Sequence, residues 1–227
     1  MNALLLAQSS LVVLWIGLVG IVAASLWQFT AASPEMVRKV LHIGAGNVIL
    51  LAWWFSIPAW LGILASVLFS GLTLLSYRIP LIPGLDSVGR KSLGTFFYAV
   101  SFGVLIAWFW PLNLPHYAVI GLLIMTWGDG LAAIVGQRWG AHPYQVSGMQ
   151  KSWEGSLTMA IAGSLICWLV LLSVQGAIWQ TWLVALVVGL ITTGLEAFSK
   201  LGIDNLTVPI AGAAIAFWLN QYLLIPA

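Results

Sequence analysis

Residues 128–158 read GDGLAAIVGQRWGAHPYQVSGMQKSWEGSLT. In a chain whose charged residues amount to only 6%, this stretch holds Asp129, Arg138, Lys151 and Glu154. Two small-residue motifs frame it: Gly-Asp-Gly, closing an apolar run, and Lys-Ser-Trp-Glu-Gly-Ser, opening the next. Outward in both directions the pattern repeats, with long apolar segments interrupted by short turns that carry the charge.

That pattern fixes the solvent. Hydrophobic residues make up 61% of the 227 positions, whereas a water-soluble domain is roughly half apolar and a quarter charged. One aqueous core cannot hide so much apolar surface, so the expected medium is a lipid bilayer. A span needs roughly 20 apolar residues. Candidates lie at about 10–30, 38–57, 59–77, 92–111, 116–136, 155–174, 178–198 and 206–225. The predicted fold is an all-α polytopic transmembrane bundle of about eight spans, within a range of six to eight. It forms a single integral-membrane domain over 1–227. No positive charge precedes the first apolar run, and the first charged residue is Glu35. This argues for a retained span rather than a signal peptide.

The charges then sort by side. All eight basic residues, Arg38, Lys39, Arg78, Arg90, Lys91, Arg138, Lys151 and Lys200, fall in or beside the connections after the first, third, fifth and seventh spans. The positive-inside rule places those connections in the cytoplasm. The acids Glu35, Asp86, Asp129, Glu154, Glu196 and Asp204 gather on the same side. Acids carry little topological weight, so their gathering points to a polar site on that face. The net charge of +2 is uninformative, and the lack of a dense basic run argues against nucleic acid as a partner. The lone Cys167 sits in an apolar run and reads as packing.

Asp129 is the sharpest signal. It lies inside the fifth predicted span, roughly 10 Å below its end at ~1.5 Å per residue. An acid at that depth is costly and faces a partner or a cavity. Gly128, Gly130, Ala132, Ala133 and Gly136 leave room for another helix or a ligand to approach. Lys151, Ser152 and Glu154 open the sixth span, where free N–H groups and the helix dipole suit phosphate. Gly148-Met-Gln-Lys151-Ser152 lacks the glycines of a P-loop. Arg38 and His42, four apart, share a face of the second span, with Lys39 beside them; they read either as a phosphate or hydroxyl site or as a topology signal with an interfacial histidine. Asp204 or Asn205 reads as a helix N-cap or as part of the site. His116 and His142 show no comparable neighbours, and no His/Cys cluster has zinc spacing. Carboxylates for Mg²⁺ and bases for phosphate oxygens on one membrane face suit a divalent cation and a polyphosphate.

With these motifs in view, the chain resembles the CTP-dependent lipid and polyprenol kinases, which include dolichol kinase, yeast-type diacylglycerol kinase and phytol kinase. The resemblance rests on Arg38-Lys39-x-x-His42, Gly128-Asp129-x-x-Ala132-x-x-x-Gly136-x-x-x-Gly140, Lys151-Ser152-x-Glu154-Gly155-Ser156 and Asp204-Asn205-Leu206-Thr207-x-Pro209. The compact length and Arg90-Lys91-Ser92-x-Gly94-Thr95-Phe96 point within the family to phytol kinase. The middle block also resembles CDP-diacylglycerol synthase, but the C-terminal signature of that synthase is missing.

The resemblance implies transfer of the γ-phosphate of CTP, or UTP, to a prenyl alcohol with Mg²⁺ as cofactor. It also implies a bacterial plasma or thylakoid membrane with the active site on the cytoplasmic face. Asp129, Glu154 and Asp204 would be the catalytic acids, with Asp129 and Glu154 as metal ligands. Base and metal ligand are not separable at this level. Lys151, Ser152, Arg138, Arg38, Lys39, Lys91, Gly128 and Gly136 would hold the nucleotide phosphates, and His42 and Asn205 would orient the substrate hydroxyl. The partners are the prenyl alcohol, the nucleoside triphosphate and the bilayer, and a homodimer is compatible with the chain. The alternatives are a cytidylyltransferase like CDP-diacylglycerol synthase and a small transporter, although transporter sites lie near the midplane, often between repeats.

Overall fold

The structure is a computed structural model that describes residues 3–77 and 93–224. The expectations for Arg78, Asp86, Arg90, Lys91 and Ser92 lie outside the described residues.

The helices are α1 (Ala3–Phe29), α2 (Pro34–Gly46), α3 (Val48–Trp54), α4 (Ala59–Ser76), α5 (Gly94–Phe109), α6 (Pro115–Leu123), α7 (Gly130–Trp139), α8 (Trp153–Gln175), α9 (Trp179–Phe198) and α10 (Asp204–Leu224). A π-helical turn, Ile124–Asp129, joins α6 to α7, and two short strands, β1 (Pro143–Val146) and β2 (Met149–Ser152), precede α8. Among the described residues, seven helical stretches are long and apolar enough to cross a membrane, with α2–α3 and α6–α7 each counted as one span; α5 is a shorter apolar helix. The architecture is thus the polytopic helical bundle expected, with eight helical segments at the expected places.

Local chemistry sets the ends. Ser33 caps α2 by accepting the Met36 N–H at 3.2 Å, and Pro34 follows in the first turn, where its missing N–H costs nothing. The break between α2 and α3 falls at Asn47, whose side-chain amide donates back to the Ile43 carbonyl at 2.9 Å. Such side-chain bonds compete with the helical ladder. Phe55–Pro58 resolves the short junction near Pro58 into a turn between two separate helices.

The core is built around α6, where every residue from His116 to Leu123 is buried. Gly121 makes this possible, since a Cβ there would lie 2.1 Å from the Pro209 carbonyl oxygen on α10. By contrast α1 buries only Val19 and Ala23 and exposes Leu4, Val13, Leu14 and Ile21, as a lipid-facing helix does. Exposed Trp54, Trp60, Trp179 and Trp182 mark one end of the bundle, and Trp27, Trp139 and Trp153 mark the other, in the manner of interfacial aromatic belts.

The hairpin was not anticipated. Ser147 and Gly148 both have positive φ, 53° and 78°, in a two-residue loop between Val146 and its partner Met149. Two positive φ angles match the right-handed twist of a tight hairpin. The Ser-Gly pair was the available sequence signal, but the flanking residues lack a clear period-two pattern.

Candidate active site

The π turn makes the site. One extra residue in the helix shifts the register at Gly128-Asp129 relative to α6, and such turns recur at functional positions. Asp129 ends the turn and Gly130 begins α7. A Cβ on Gly130 would lie 2.7 Å from Ile43 on α2. The missing side chain therefore lets α2 lie against the turn.

That approach aims Lys39 and His42, three residues apart on α2, at the carboxylate. Lys39 Nζ donates to Asp129 Oδ2 at 2.7 Å, with the lysine side chain 5% and the aspartate side chain 13% exposed. His42 Nε2 lies 3.8 Å from the same oxygen and 3.4 Å from the Met125 carbonyl. Tyr98 on α5 donates to the His42 carbonyl at 2.8 Å and lies 3.3 Å from Thr126 Oγ1. Trp127 donates to Asn47 Oδ1 at 3.0 Å. The π turn is thus tied to α2, α5 and the α2–α3 break.

Arg38 does not share this face. It makes a two-pronged contact with Glu35, Nε to Oε2 at 2.8 Å and Nη2 to Oε1 at 2.6 Å, and remains half-exposed. The residue that faces the site beside His42 is therefore Lys39, at the i−3 position, rather than Arg38 at i−4.

Asp204 and Asn205 open α10 at the same end of the bundle. Asp204 lies close enough to feel the charges of Asp129, Lys39, Lys151 and Glu196, and its Oδ1 accepts the Asn205 N–H at 3.1 Å. Asn205 is buried and donates from Nδ2 to the Gly94 carbonyl at 3.1 Å. Its Oδ1 is buried with no hydrogen-bond partner among the described residues.

Lys151 lies on β2 and is ion-paired to Glu196 of α9, and it also donates to the Glu196 carbonyl at 3.3 Å. Glu196 is 6% exposed. This carboxylate was outside the expected site, because its place at the end of an apolar helix suggested only a boundary. Glu154, in turn, is not beside Asp129. Its Oε1 lies 2.6 Å from His142 Nδ1 and its oxygens accept the His142 N–H, on the exposed side of the hairpin. This corrects the reading of His142 as lacking a neighbour. Glu154 and Asp129, expected as a metal-ligand pair, thus have different partners here, His142 and Lys39.

The glycines act in packing. Gly128 is buried against Met159, whose Sδ would lie 2.6 Å from a Cβ there. Gly136 faces Ser152 Oγ and Gly155, at 3.0 and 3.6 Å from a built Cβ. Of the helix or ligand that these small residues could admit, it is α8 that lies against Gly128 and Gly136. Ser152 caps α8 by accepting the Gly155 N–H at 3.1 Å. Arg138 is exposed at the end of α7 and lies over the Trp139 ring, 5.5 Å from its centroid.

Among the described residues, no three His, Cys, Asp or Glu side chains converge as a metal cage. Asp129, with Asp204 nearby, suits a different arrangement. Mg²⁺ dehydrates reluctantly and is commonly held by one or two carboxylates together with substrate phosphates. Such a donor set is compatible with a magnesium ion.

The chain is 51% identical over 209 residues to phytol kinase of Synechocystis sp., covering 92% of this chain and 89% of that protein. It is 31% identical over 198 residues to probable phytol kinase 2, chloroplastic, of Glycine max, covering 82% and 65%. It is 26% identical over 217 residues to CTP-dependent diacylglycerol kinase 1 of Schizosaccharomyces pombe, covering 84% and 96%. No family model and no solved structure matches the chain.

Proposed function

The chain belongs to the phytol kinase family, and we propose that it transfers the γ-phosphate of CTP, or UTP, to the hydroxyl of a prenyl alcohol, with phytol as the leading candidate. One observation supports this reading most directly: buried Lys39 and the partly buried Asp129 and His42 meet at the end of an otherwise apolar bundle that also carries Asp204. A greasy alcohol reaches such a site from the bilayer and a nucleotide reaches it from water.

In this reading the alcohol oxygen bonds to the γ-phosphorus while the bond to the β,γ-bridging oxygen breaks. The nucleoside diphosphate leaves, and the hydroxyl proton passes to a carboxylate, with Asp129 the first choice and Asp204 the second. Catalysis of this kind rests on positioning and charge neutralisation. Lys39 approaches the phosphates from α2, with Arg38 outside that face beside Glu35, and Lys151 and Arg138 approach from the hairpin side, with the capped start of α8 assisting. Once nucleotide binds, phosphate oxygens compete with Asp129 for the Lys39 ammonium and free the carboxylate for its role. Asp129, aided by Asp204, would hold Mg²⁺, which shields charge between the β- and γ-phosphates. His42 and Asn205 orient the alcohol.

The basic residues at this end, Arg38, Lys39, Arg138, Lys151 and Lys200, support a reading in which it faces the cytoplasmic side of a bacterial plasma or thylakoid membrane. A homodimer is compatible with this arrangement.

The deciding experiment offers purified protein γ-labelled CTP, UTP and ATP with phytol, farnesol, dolichol or diacylglycerol. Labelled prenyl monophosphate is the expected product, with CTP or UTP the better donor. Appearance of CMP on a phosphatidate lipid, with no labelled alcohol, would establish the cytidylyltransferase instead.

A further inference from the structure

Tyr98 stands near the start of α5, 8% exposed and close enough to Asp129 to feel its charge. The same helix carries Phe96, Phe97, Phe102 and Phe109, so a bare ring was open to it for packing alone. A hydroxyl in so apolar a place is costly unless it is hydrogen-bonded. It donates to the His42 carbonyl at 2.8 Å and lies 3.3 Å from Thr126 Oγ1. A phenol has one proton to give. With that proton on the carbonyl, the fully buried Thr126 is the donor of the second bond. Thr126, Tyr98 and His42 thus form a chain from the π turn through α5 to α2. Gly46, four residues beyond His42, keeps the space open: a Cβ there would lie 2.1 Å from Thr126 Oγ1 and 2.6 Å from the Tyr98 hydroxyl.

The Tyr98 ring also backs the imidazole. The two centroids lie 4.5 Å apart with the planes tilted by 51°, and Phe102, one turn further along α5, supports the phenol ring at 5.3 Å. The Nε2 edge of His42 meets the π turn, with the Met125 carbonyl at 3.4 Å and Asp129 Oδ2 at 3.8 Å. Both are acceptors, so the neutral ring carries its proton on Nε2. Nδ1 is then the acceptor, and it has no hydrogen-bond partner among the described residues. The His42 side chain keeps 11% of its surface open, enough for a ligand to reach it.

Resting on the kinase reading above, we propose that Tyr98 is a positioning residue for phosphoryl transfer: it grips the His42 carbonyl and backs the imidazole, so that Nε2 stays on the π turn and Nδ1 is left to dock the alcohol. The same grip fixes the rotation of α2 and with it the aim of Lys39, three residues earlier, at Asp129. Tyr98 itself touches no reacting atom and acts through His42.

Tyr98→Phe keeps the ring and removes only the hydroxyl. It should lower kcat for farnesol by at least about tenfold, the scale on which small misplacements act, with KM for CTP unchanged within about twofold. In a His42→Gln background the same change should cost less than about twofold, because a residue that acts through His42 then has nothing to position. A third readout needs no turnover. The chain has three histidines. In nitrogen NMR of isotope-labelled histidine, the His42 signals, identified by their loss in His42→Gln, should report a proton on Nε2. Tyr98→Phe should move them toward a mixture of tautomers and leave those of His116 and His142 in place. Where His42→Gln leaves no turnover to compare, this spectrum decides. Full kcat in Tyr98→Phe, an equal loss in both backgrounds or an unchanged His42 spectrum overturns the positioning role and leaves the kinase reading standing. Failure of the unmodified protein to phosphorylate any alcohol overturns the kinase reading and the proposal with it.

Discussion

Lys39 and Asp129, 90 residues apart in sequence, meet at 2.7 Å in the interior of the bundle. Neither is at home there alone: removing one partner of a buried pair leaves a stranded charge, at a cost of about 3–5 kcal/mol. Asp129→Asn is therefore expected to lose both phosphoryl transfer and thermal stability, whereas Asp129→Asn combined with Lys39→Met should recover stability without activity. Melting in detergent and labelled-phosphate transfer separate the two effects. Activity retained in Asp129→Asn would remove this carboxylate from the mechanism.

The Lys151–Glu196 pair ties the hairpin to the end of α9. Glu196→Gln should loosen β1 and β2 while the core of α8 holds. Hydrogen exchange is expected to quicken over residues 143–152 and to remain slow around Met159 and Cys167. Uniform quickening throughout α8 would mean that the pair supports the helix as a whole.

Gly121 and Gly17 make a matched comparison. A Cβ at Gly121 would lie 2.1 Å from a backbone oxygen, whereas one at Gly17 meets nothing within 4 Å. Gly121→Ala should destabilise by about 1–3 kcal/mol through overpacking. Gly17→Ala should be neutral or stabilising by up to about 1 kcal/mol through helix propensity. Thermal unfolding followed by tryptophan fluorescence reads both, and equal shifts would contradict the close α6–α10 approach.

Sidedness is open to labelling because the native Cys167 is fully buried. Ser147→Cys, in the exposed hairpin turn, should react with an impermeant maleimide only from the cytoplasmic side, and Asn113→Cys, in the opposite turn, only from the other. The reverse pattern would invert the orientation.

Composition and order alone determined that this chain lives in lipid, where its helical segments lie and which kinase family it joins. Those properties are local: hydropathy over some 20 residues defines a span, and scarce charges stand out against it. Only the tertiary structure decided which acid meets which base. Arg38 and Lys39 are neighbours in sequence, yet one turns to Glu35 and the other to Asp129. Lys151 and Glu154, three residues apart, turn to Glu196 and His142. The choice depends on how each helix is rotated about its axis. That rotation is set by an extra residue in the π turn and by glycines that admit side chains and backbone from distant segments, as Gly130 admits Ile43 and Gly121 admits Pro209. No periodicity within a single segment records those contacts.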